Sequence, residues 1–322
     1  MRALVRRVIP FRARRAIWRA RRSLPRVAQP LSLVLPPAHS PERPVFVIGC
    51  PRAGTSVLLR LLVQSPELRS VQNEGHILWD PFHHPRERGW DSNALAAEDV
   101  SDRERRYINL AIRLIVRERR FVDKTPENCL RIPYLRALFP DASFIFLRRR
   151  AADNVSSLMD GWRARPRFVT YRLPERLEGL GPLSGDRWSF VLVPRWRELR
   201  SSPLEEICAR QYIACNDAAL EARETIDPGS WVDVSYEQLV SSPVKTTRRI
   251  FDELGLAFSR PVAAAAAALA RTPGPTALTP PRPGKWRDHN RAAIERIRPL
   301  VTPTERRLWR DAAQRFDREH AA

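Results

Sequence analysis

The stretch Val45-Phe-Val-Ile-Gly-Cys-Pro-Arg-Ala-Gly-Thr-Ser56 decides the fold. Val45–Ile48 is a continuous apolar run, the pattern of a short strand buried on both faces. Gly49 and Gly54 bracket a turn, and residues 57–63 continue with helical spacing. Strand, glycine turn and helix in this order have the spacing of a phosphate-binding loop, Gly49-x-x-x-x-Gly54, then Thr55 and Ser56. Backbone N–H groups of such a turn, and of the helix N-terminus after it, point at an anion. Pro51 and Ala53 complete the loop, and Thr55 and Ser56 add hydroxyl donors. Where a triphosphate loop carries Lys, this chain has Thr55, and Arg52 supplies positive charge instead.

Outward from this loop, strands and helices alternate. Residues 101–118 open on a Ser cap and an acidic first turn, with Ile108, Ile112 and Ile115 on one face. Residues 121–123 read as a buried strand before a helix over 127–138, and 143–147 as another before a helix over 151–160. A helix over 204–226 leads to a strand at 231–234 and a helix at 243–255. The Ala-rich stretch 262–270 reads as helical, 272–283 as a Pro-rich loop, and two helices, 290–300 and 304–318, close the chain. The pattern predicts an α/β fold: a P-loop-like parallel β-sheet flanked by helices on both faces, with a helical C-terminus. Residues 161–203, rich in Pro, Arg and Trp with little periodicity, read as an insertion of loops.

The 322 residues are 43% apolar, ample for a core, and no run approaches the ~20 apolar residues of a spanning helix. The charge of +20 is unevenly placed, because residues 1–26 hold ten arginines and no acid. Residues 1–40 read as a basic appendage and 41–322 as the folded body. The segment 1–26 mixes Arg with Leu4, Val8, Phe11, Ile17 and Trp18, so three readings are open. They are an anionic membrane surface as partner, a transit-like segment, or a flexible solubilising tail. The rest of the surplus suits a phosphorylated ligand and does not require nucleic acid.

Only three of the 56 basic residues are lysines, Lys124, Lys245 and Lys285. A position that stays Lys in an Arg-rich chain is a candidate for needing a compact, titratable ammonium. Cys50, Cys129, Cys208 and Cys215 show no metal spacing and read as reduced, semi-buried thiols of a cytoplasmic protein. His83 and His84 stand in a Pro-rich stretch and read as solvent-facing rather than as metal ligands, so no metal is expected.

A second element is Leu147-Arg-Arg-Arg-Ala-Ala-Asp-Asn-Val-Ser-Ser157. Arg149 ends a strand at the carboxyl edge of the sheet, where ligands bind, and Ser157 lies two helical turns on. Together they offer a second anion a charge and a hydroxyl. The strand ends in arginines rather than in an acid able to help hold Mg²⁺, which argues against the alternative of a P-loop small-molecule kinase.

The first loop, followed by Arg149-x-x-x-Asp153-x-x-x-Ser157, resembles the two cofactor signatures of the sulfotransferase family. The resemblance runs from about residue 44 to the C-terminus through Asp123-Lys-Thr-Pro-Glu-Asn, Tyr236-Glu-Gln-Leu-Val and Gly284-Lys-Trp-Arg. It implies a co-substrate, 3′-phosphoadenosine 5′-phosphosulfate (PAPS). The first loop would grip its 5′-phosphosulfate, Arg149 and Ser157 its 3′-phosphate, and Tyr236 the adenine region. The chain is more similar to the bacterial and tyrosylprotein branch than to the cytosolic small-molecule enzymes, since Pro-Arg-Ala-Gly-Thr replaces a Lys-bearing loop. That similarity implies Glu74 as the base, with His76 two residues away as the competing candidate. It also implies Arg52 and Lys124 as stabilisers of the leaving nucleotide, with Lys124 a candidate proton donor.

Lys285 would close over the nucleotide, although Gly284 stands where the branch often has Ser. The proline often found two residues after the phosphate-binding Arg is also missing. The acceptor is expected to be a hydroxylated molecule, with carbohydrate or glycolipid favoured. Residues 161–203, with Trp162, Trp188 and Trp196, are expected to wall its site.

Overall fold

The computed structural model describes residues 28–71, 74–269, 278 and 284–319, with side chains up to residue 310. The Arg-rich segment 1–26 and the Pro-rich loop 272–283, Leu278 apart, lie outside the described residues.

The central sheet contains β1 (Val45–Ile48), β2 (Leu68–Arg69), β3 (Arg120–Asp123), β4 (Ser143–Arg148) and β7 (Trp231–Ser235). All are parallel, in the order β2-β3-β1-β4-β7. The predicted α/β architecture is therefore present, with β2 as an extra edge strand too short for a sequence pattern to reveal. Strand β1 shows why its apolar run is continuous. Val45 and Val47 face a core with Leu58, Leu62, Ile145 and Val234, while Phe46 and Ile48 face the opposite one. Phe46 stacks on Phe144 with ring centroids 5.7 Å apart and meets Phe121 edge-on at 6.2 Å.

Helices cover both faces: α1 (28–34), α2 (Thr55–Leu62), α3 (His76–His83), α4 (Asp102–Val116), α5 (Ile132–Leu138), α6 (Ala151–Arg163) and α7 (Leu204–Arg223). Beyond β7 come α8 (Tyr236–Ser241), α9 (Pro243–Glu253), α10 (Arg260–Ala268), α11 (Trp286–His289) and α12 (Arg291–Glu319). The Ser cap of α4 is a full capping box, with Ser101 Oγ accepting from the Glu104 N–H and Glu104 Oε2 accepting from the Ser101 N–H.

Four local expectations are corrected. The helix expected over 127–138 is a 3₁₀ turn, Pro126–Leu130, followed by α5. The two C-terminal helices are one, because α12 runs through Pro299 and Pro303. Buried Ile294, Ile297, Val301 and Leu308 hold it on the body, and Thr302 Oγ1 donates to the Arg298 carbonyl. Tertiary packing here overrides two residues that each remove a backbone donor.

Residues 161–203 are not an insertion of loops. They complete α6 and form an antiparallel hairpin, β5 (Val169–Leu177) with β6 (Gly185–Ser189). In β5, Tyr171, Leu173 and Leu177 are buried while Thr170, Arg172 and Pro174 are exposed. Trp162, Trp188 and Trp196 are fully buried and wall nothing. Their indole N–H groups donate to Gln211 Oε1 and to the Val191 and Trp90 carbonyls.

Last, His83 and His84 are not solvent-facing. His83 Nε2 lies 2.8 Å from the buried Glu104, and His84 lines the central cleft. The four cysteines are free and buried outright, more deeply than expected.

Candidate active site

Strands β1 and β4 are neighbours, so their carboxyl ends deliver the 49–54 loop and Arg149 to one edge of the sheet. The cleft there has a volume of about 640 Å³. The loop's shape depends on backbone that side chains disfavour: Gly49 has φ 150°, Gly54 has φ 111°, and Arg52, though not a glycine, has φ 70°. A Cβ on Gly49 would sit 2.4 Å from the Leu147 carbonyl oxygen, so the turn also needs glycine for β1 to lie against β4. Asn154 Nδ2 and Arg149 Nη1 hold the Pro51 and Arg52 carbonyls at 2.8 and 2.9 Å. No side chain caps α2, whose first N–H groups have no partner within the helix.

Three consecutive arginines part company at the end of β4. Arg148 is buried on the far side, donating to the Leu308 carbonyl, 3.8 Å from Asp233 and over the Trp309 ring. Arg150 also stacks on Trp309. Arg149 alone of the three lines the cleft, its guanidinium 4.2 Å from the Tyr236 ring centroid. Its Nε is buried without a hydrogen-bond partner among the described residues. Tyr236 is the first residue of α8, capped by Ser235, and it packs against Gly54. Ser157 accepts from Arg52 Nε at 3.3 Å, so the loop and the second element converge. Burial and the neighbouring Arg149 bring the Arg52 guanidinium down to about 10.

The opposite wall comes from Lys124 at the end of β3 and from Glu74, between β2 and α3. Lys124, 3% exposed, places Nζ 2.6 Å from Glu74 Oε1, and His76 Nε2 lies 3.1 Å from Glu74 Oε2. The arrangement is built from Asp123-Lys-Thr-Pro. Asp123 Oδ2 accepts from Thr125 Oγ1, Asn128 Nδ2 and Trp79 Nε1, while Thr125 Oγ1 accepts from the Gly75 N–H at 2.7 Å. A Cβ on Gly75 would meet Asp123 Oδ1 at 2.6 Å, so the loop carrying Glu74 docks only through glycine. Burial alone would raise the Glu74 carboxyl. The His76 hydrogen bond and the Lys124 ammonium outweigh it and hold Glu74 at about 2. Burial opposes the His76 charge as well, but Glu127, Asp80 and Glu74 together push that imidazole up to about 11.

Pro51, Arg52, Gly54, Thr55, Ser56, Glu74, Lys124, Arg149, Ser157, Tyr236 and Lys285 all line this one cleft. Gly49 and Ala53 do not, and they shape the loop from behind. The Gly284 N–H donates to both Asp153 oxygens at 2.9 and 3.0 Å, which ties the residue before Lys285 to α6. The far end of the cleft is lined by Asp80, His84 and Glu127, and by Phe168, Thr170 and Tyr171 of the 161–203 segment, where sequence reading had pointed to the tryptophans instead. The alternation in β5 was the available signal for Thr170 and Tyr171. Phe168 lies 4.8 Å from the Arg52 guanidinium, and Glu127 accepts from Tyr171 Oη at 3.3 Å. Among the described residues, no group of three or more His, Cys, Asp or Glu side chains is arranged to hold a metal ion.

The cleft thus joins the glycine loop and Arg149 to a cation–carboxylate pair. A Caenorhabditis briggsae protein named "Putative protein-tyrosine sulfotransferase" is 23% identical over 229 residues, covering 68% of each chain. A sulfotransferase structure from Mycobacterium avium superposes with TM-score 0.52 at 18% identity, over 91% of this chain and 86% of that one. One from Mycobacterium tuberculosis H37Rv gives 0.49 at 17% identity, over 77% and 76%. The model of the sulfotransferase family matches residues 44–260, and the chain belongs to that family, whose reaction is sulfuryl transfer to an acceptor.

Proposed function

We propose that the chain transfers the sulfuryl group of PAPS to a hydroxyl of a carbohydrate-class acceptor. The observation that carries the donor assignment is Arg149, which is stacked on Tyr236 and alone of the three arginines lines the cleft that the glycine loop borders. In this reading the loop residues 51–56 hold the 5′-phosphosulfate, and Arg149 with Ser157 holds the 3′-phosphate. The acceptor oxygen attacks sulfur, the S–O bond to the nucleotide breaks, and its electron pair stays on the phosphate oxygen. Arg52 and Lys124 stabilise the charge that builds there, and Glu74 takes the acceptor's proton. His76 is a poor second candidate for the base, since three carboxylates keep its imidazole protonated.

The acceptor end supports a polar, hydroxylated substrate. His76, Asp80, His84, Glu127, Thr170 and Tyr171 offer hydrogen-bonding groups, and the tryptophans once expected there are in the core. Protein tyrosine, named for the nematode relative, is the competing acceptor class. A small-molecule kinase is at odds with the family.

The test is calorimetric binding of adenosine 3′,5′-bisphosphate in EDTA against ATP with Mg²⁺, for the wild type and Arg149→Ala. Metal-free binding of the bisphosphate that collapses in the variant supports the donor assignment. Preference for Mg-ATP, indifferent to Arg149, overturns it. Transfer of labelled sulfate to free sugars against tyrosine peptides then decides the acceptor class.

A further inference from the structure

Helix α1 is amphipathic in the wrong sense for a helix at rest on a protein body. Ala28 and Ser32, one turn apart, are its buried positions, at 0% and 4% exposure. Ser32 Oγ donates to the Gln29 carbonyl, so the inward stripe is small and polar-tipped. The outward stripe is apolar: Leu31 is 40% exposed, Leu33 57%, Val34 83% and Leu35 43%. Leu31, Val34 and Leu35 stand at i, i+3 and i+4 on one face. These four account for half of the large hydrophobic side chains exposed among the described residues; the others, Val63, Leu114, Val244 and Leu278, are scattered. The chain continues through Pro36 and Pro37 to Ala38, whose carbonyl accepts from Asn109 Nδ2, so α1 is fastened to the body at its far end.

Charge supplies the second observation. The first acidic residue of the sequence is Glu42, while residues 1–26 carry ten arginines. An apolar stripe immediately after an acid-free arginine run is the composition that lies in the boundary of an anionic bilayer, apolar side chains among the acyl tails and guanidinium groups among the headgroups. A nucleic-acid partner would use the arginines but has no need of an exposed Leu and Val stripe. We propose that α1, with the arginines before it, docks this protein on a membrane surface containing anionic lipid. The inference is independent of the proposed donor and acceptor.

The experiment is co-sedimentation of the full chain with phosphatidylcholine vesicles, with and without phosphatidylserine, across a range of NaCl. We expect binding to the phosphatidylserine vesicles that weakens with salt, and a loss of about tenfold in affinity for Leu33→Glu/Val34→Glu, whose arginines are untouched. Replacing Arg6, Arg7, Arg14 and Arg15 by Gln should weaken binding comparably. Thermal unfolding of the Leu33/Val34 variant is measured beside it and should match the wild type. Three results overturn the proposal. One is equal binding by the Leu33/Val34 variant, which leaves only adsorption through charge. Another is preference for a duplex RNA competitor over the vesicles. The third is a clear fall in thermal stability of that variant, which would mean that the stripe is covered by the chain itself.

Discussion

Lys124 Nζ lies 2.6 Å from Glu74 Oε1, so the proposed base and the proposed leaving-group cation are directly paired in the cleft. Glu74 is ionised there but, held at about 2, is a weak acceptor of protons. A donor phosphate that draws the Lys124 ammonium away frees the carboxylate and strengthens it as a base. Lys124→Met should lower kcat by about 10²–10³. It should also move the acidic limb of the pH–rate profile upward, because a carboxylate without its cation protonates at higher pH. An acidic limb unchanged in the variant would sink the idea that this pair tunes Glu74.

Glu74 and its neighbour His76 make stability depend on pH in opposite senses. Glu74 is depressed, so its contribution is present above its unfolded value, about 4.3, and is lost as pH falls through about 2. His76 is raised, so its contribution is full below its unfolded value, about 6.5, and is lost as pH rises through about 11. Both side chains are about one third exposed, at 33% and 36%, and screening keeps either effect modest. The stability difference between wild type and His76→Gln should therefore shrink steadily from neutral to strongly alkaline pH in urea titrations. A difference that stays constant over that window would mean the imidazole does not carry the charge assigned to it.

Arg148 and Arg149 are adjacent in sequence and face different tasks. Arg148→Ala removes a guanidinium buried between the Leu308 carbonyl and Trp309, while Asp233 keeps its ion pair with Arg223 at 3.5 Å. It should cost about 2 kcal/mol of stability, from the lost hydrogen bond and packing, and leave affinity for the bisphosphate nearly intact. Arg149→Ala should do the reverse, weakening bisphosphate about 10- to 100-fold with little change in melting temperature. Melting and calorimetry on both variants check the pair, and the opposite pattern would put the second phosphate on the wrong arginine.

Much of the site was legible because its physics is local. A parallel strand buried on both faces reads as a continuous apolar run, and a tight turn with φ well beyond the left-handed helical region favours glycine, so β1, Gly49 and Gly54 could be read directly. Among three adjacent arginines, the spacing to Asp153 and Ser157 in the resembling family signature favoured Arg149, the one that lines the cleft. What stayed hidden depended on tertiary contact. Helix α3 contains Pro81 and follows Gly75, so its helical nature is set by Leu78 and Trp79 entering the core. The β5 pattern is broken by Pro174 and crowded with charge, and Glu175 is held by Arg197 and Arg200, more than twenty residues away. The tryptophans of 161–203 looked like a binding wall because composition cannot distinguish an aromatic facing a ligand from one facing its own core.

The two glycines of the loop separate folding from binding. At Gly49, with φ 150°, an added Cβ falls 2.4 Å from the backbone oxygen of Leu147, and no side-chain movement relieves it. Gly49→Ala must push β1 from β4 and should cost about 2 kcal/mol or more of stability. At Gly54, with φ 111°, the obstruction is the Tyr236 ring at 2.7 Å, a side chain able to turn away. Gly54→Ala should lose less stability, yet displace the ring that Arg149 stacks upon and weaken adenosine 3′,5′-bisphosphate by about tenfold or more. Thermal unfolding and calorimetry on the two variants make the comparison. Undiminished bisphosphate affinity in a folded Gly54→Ala protein would show that Tyr236 and its stacked arginine take no part in holding the nucleotide.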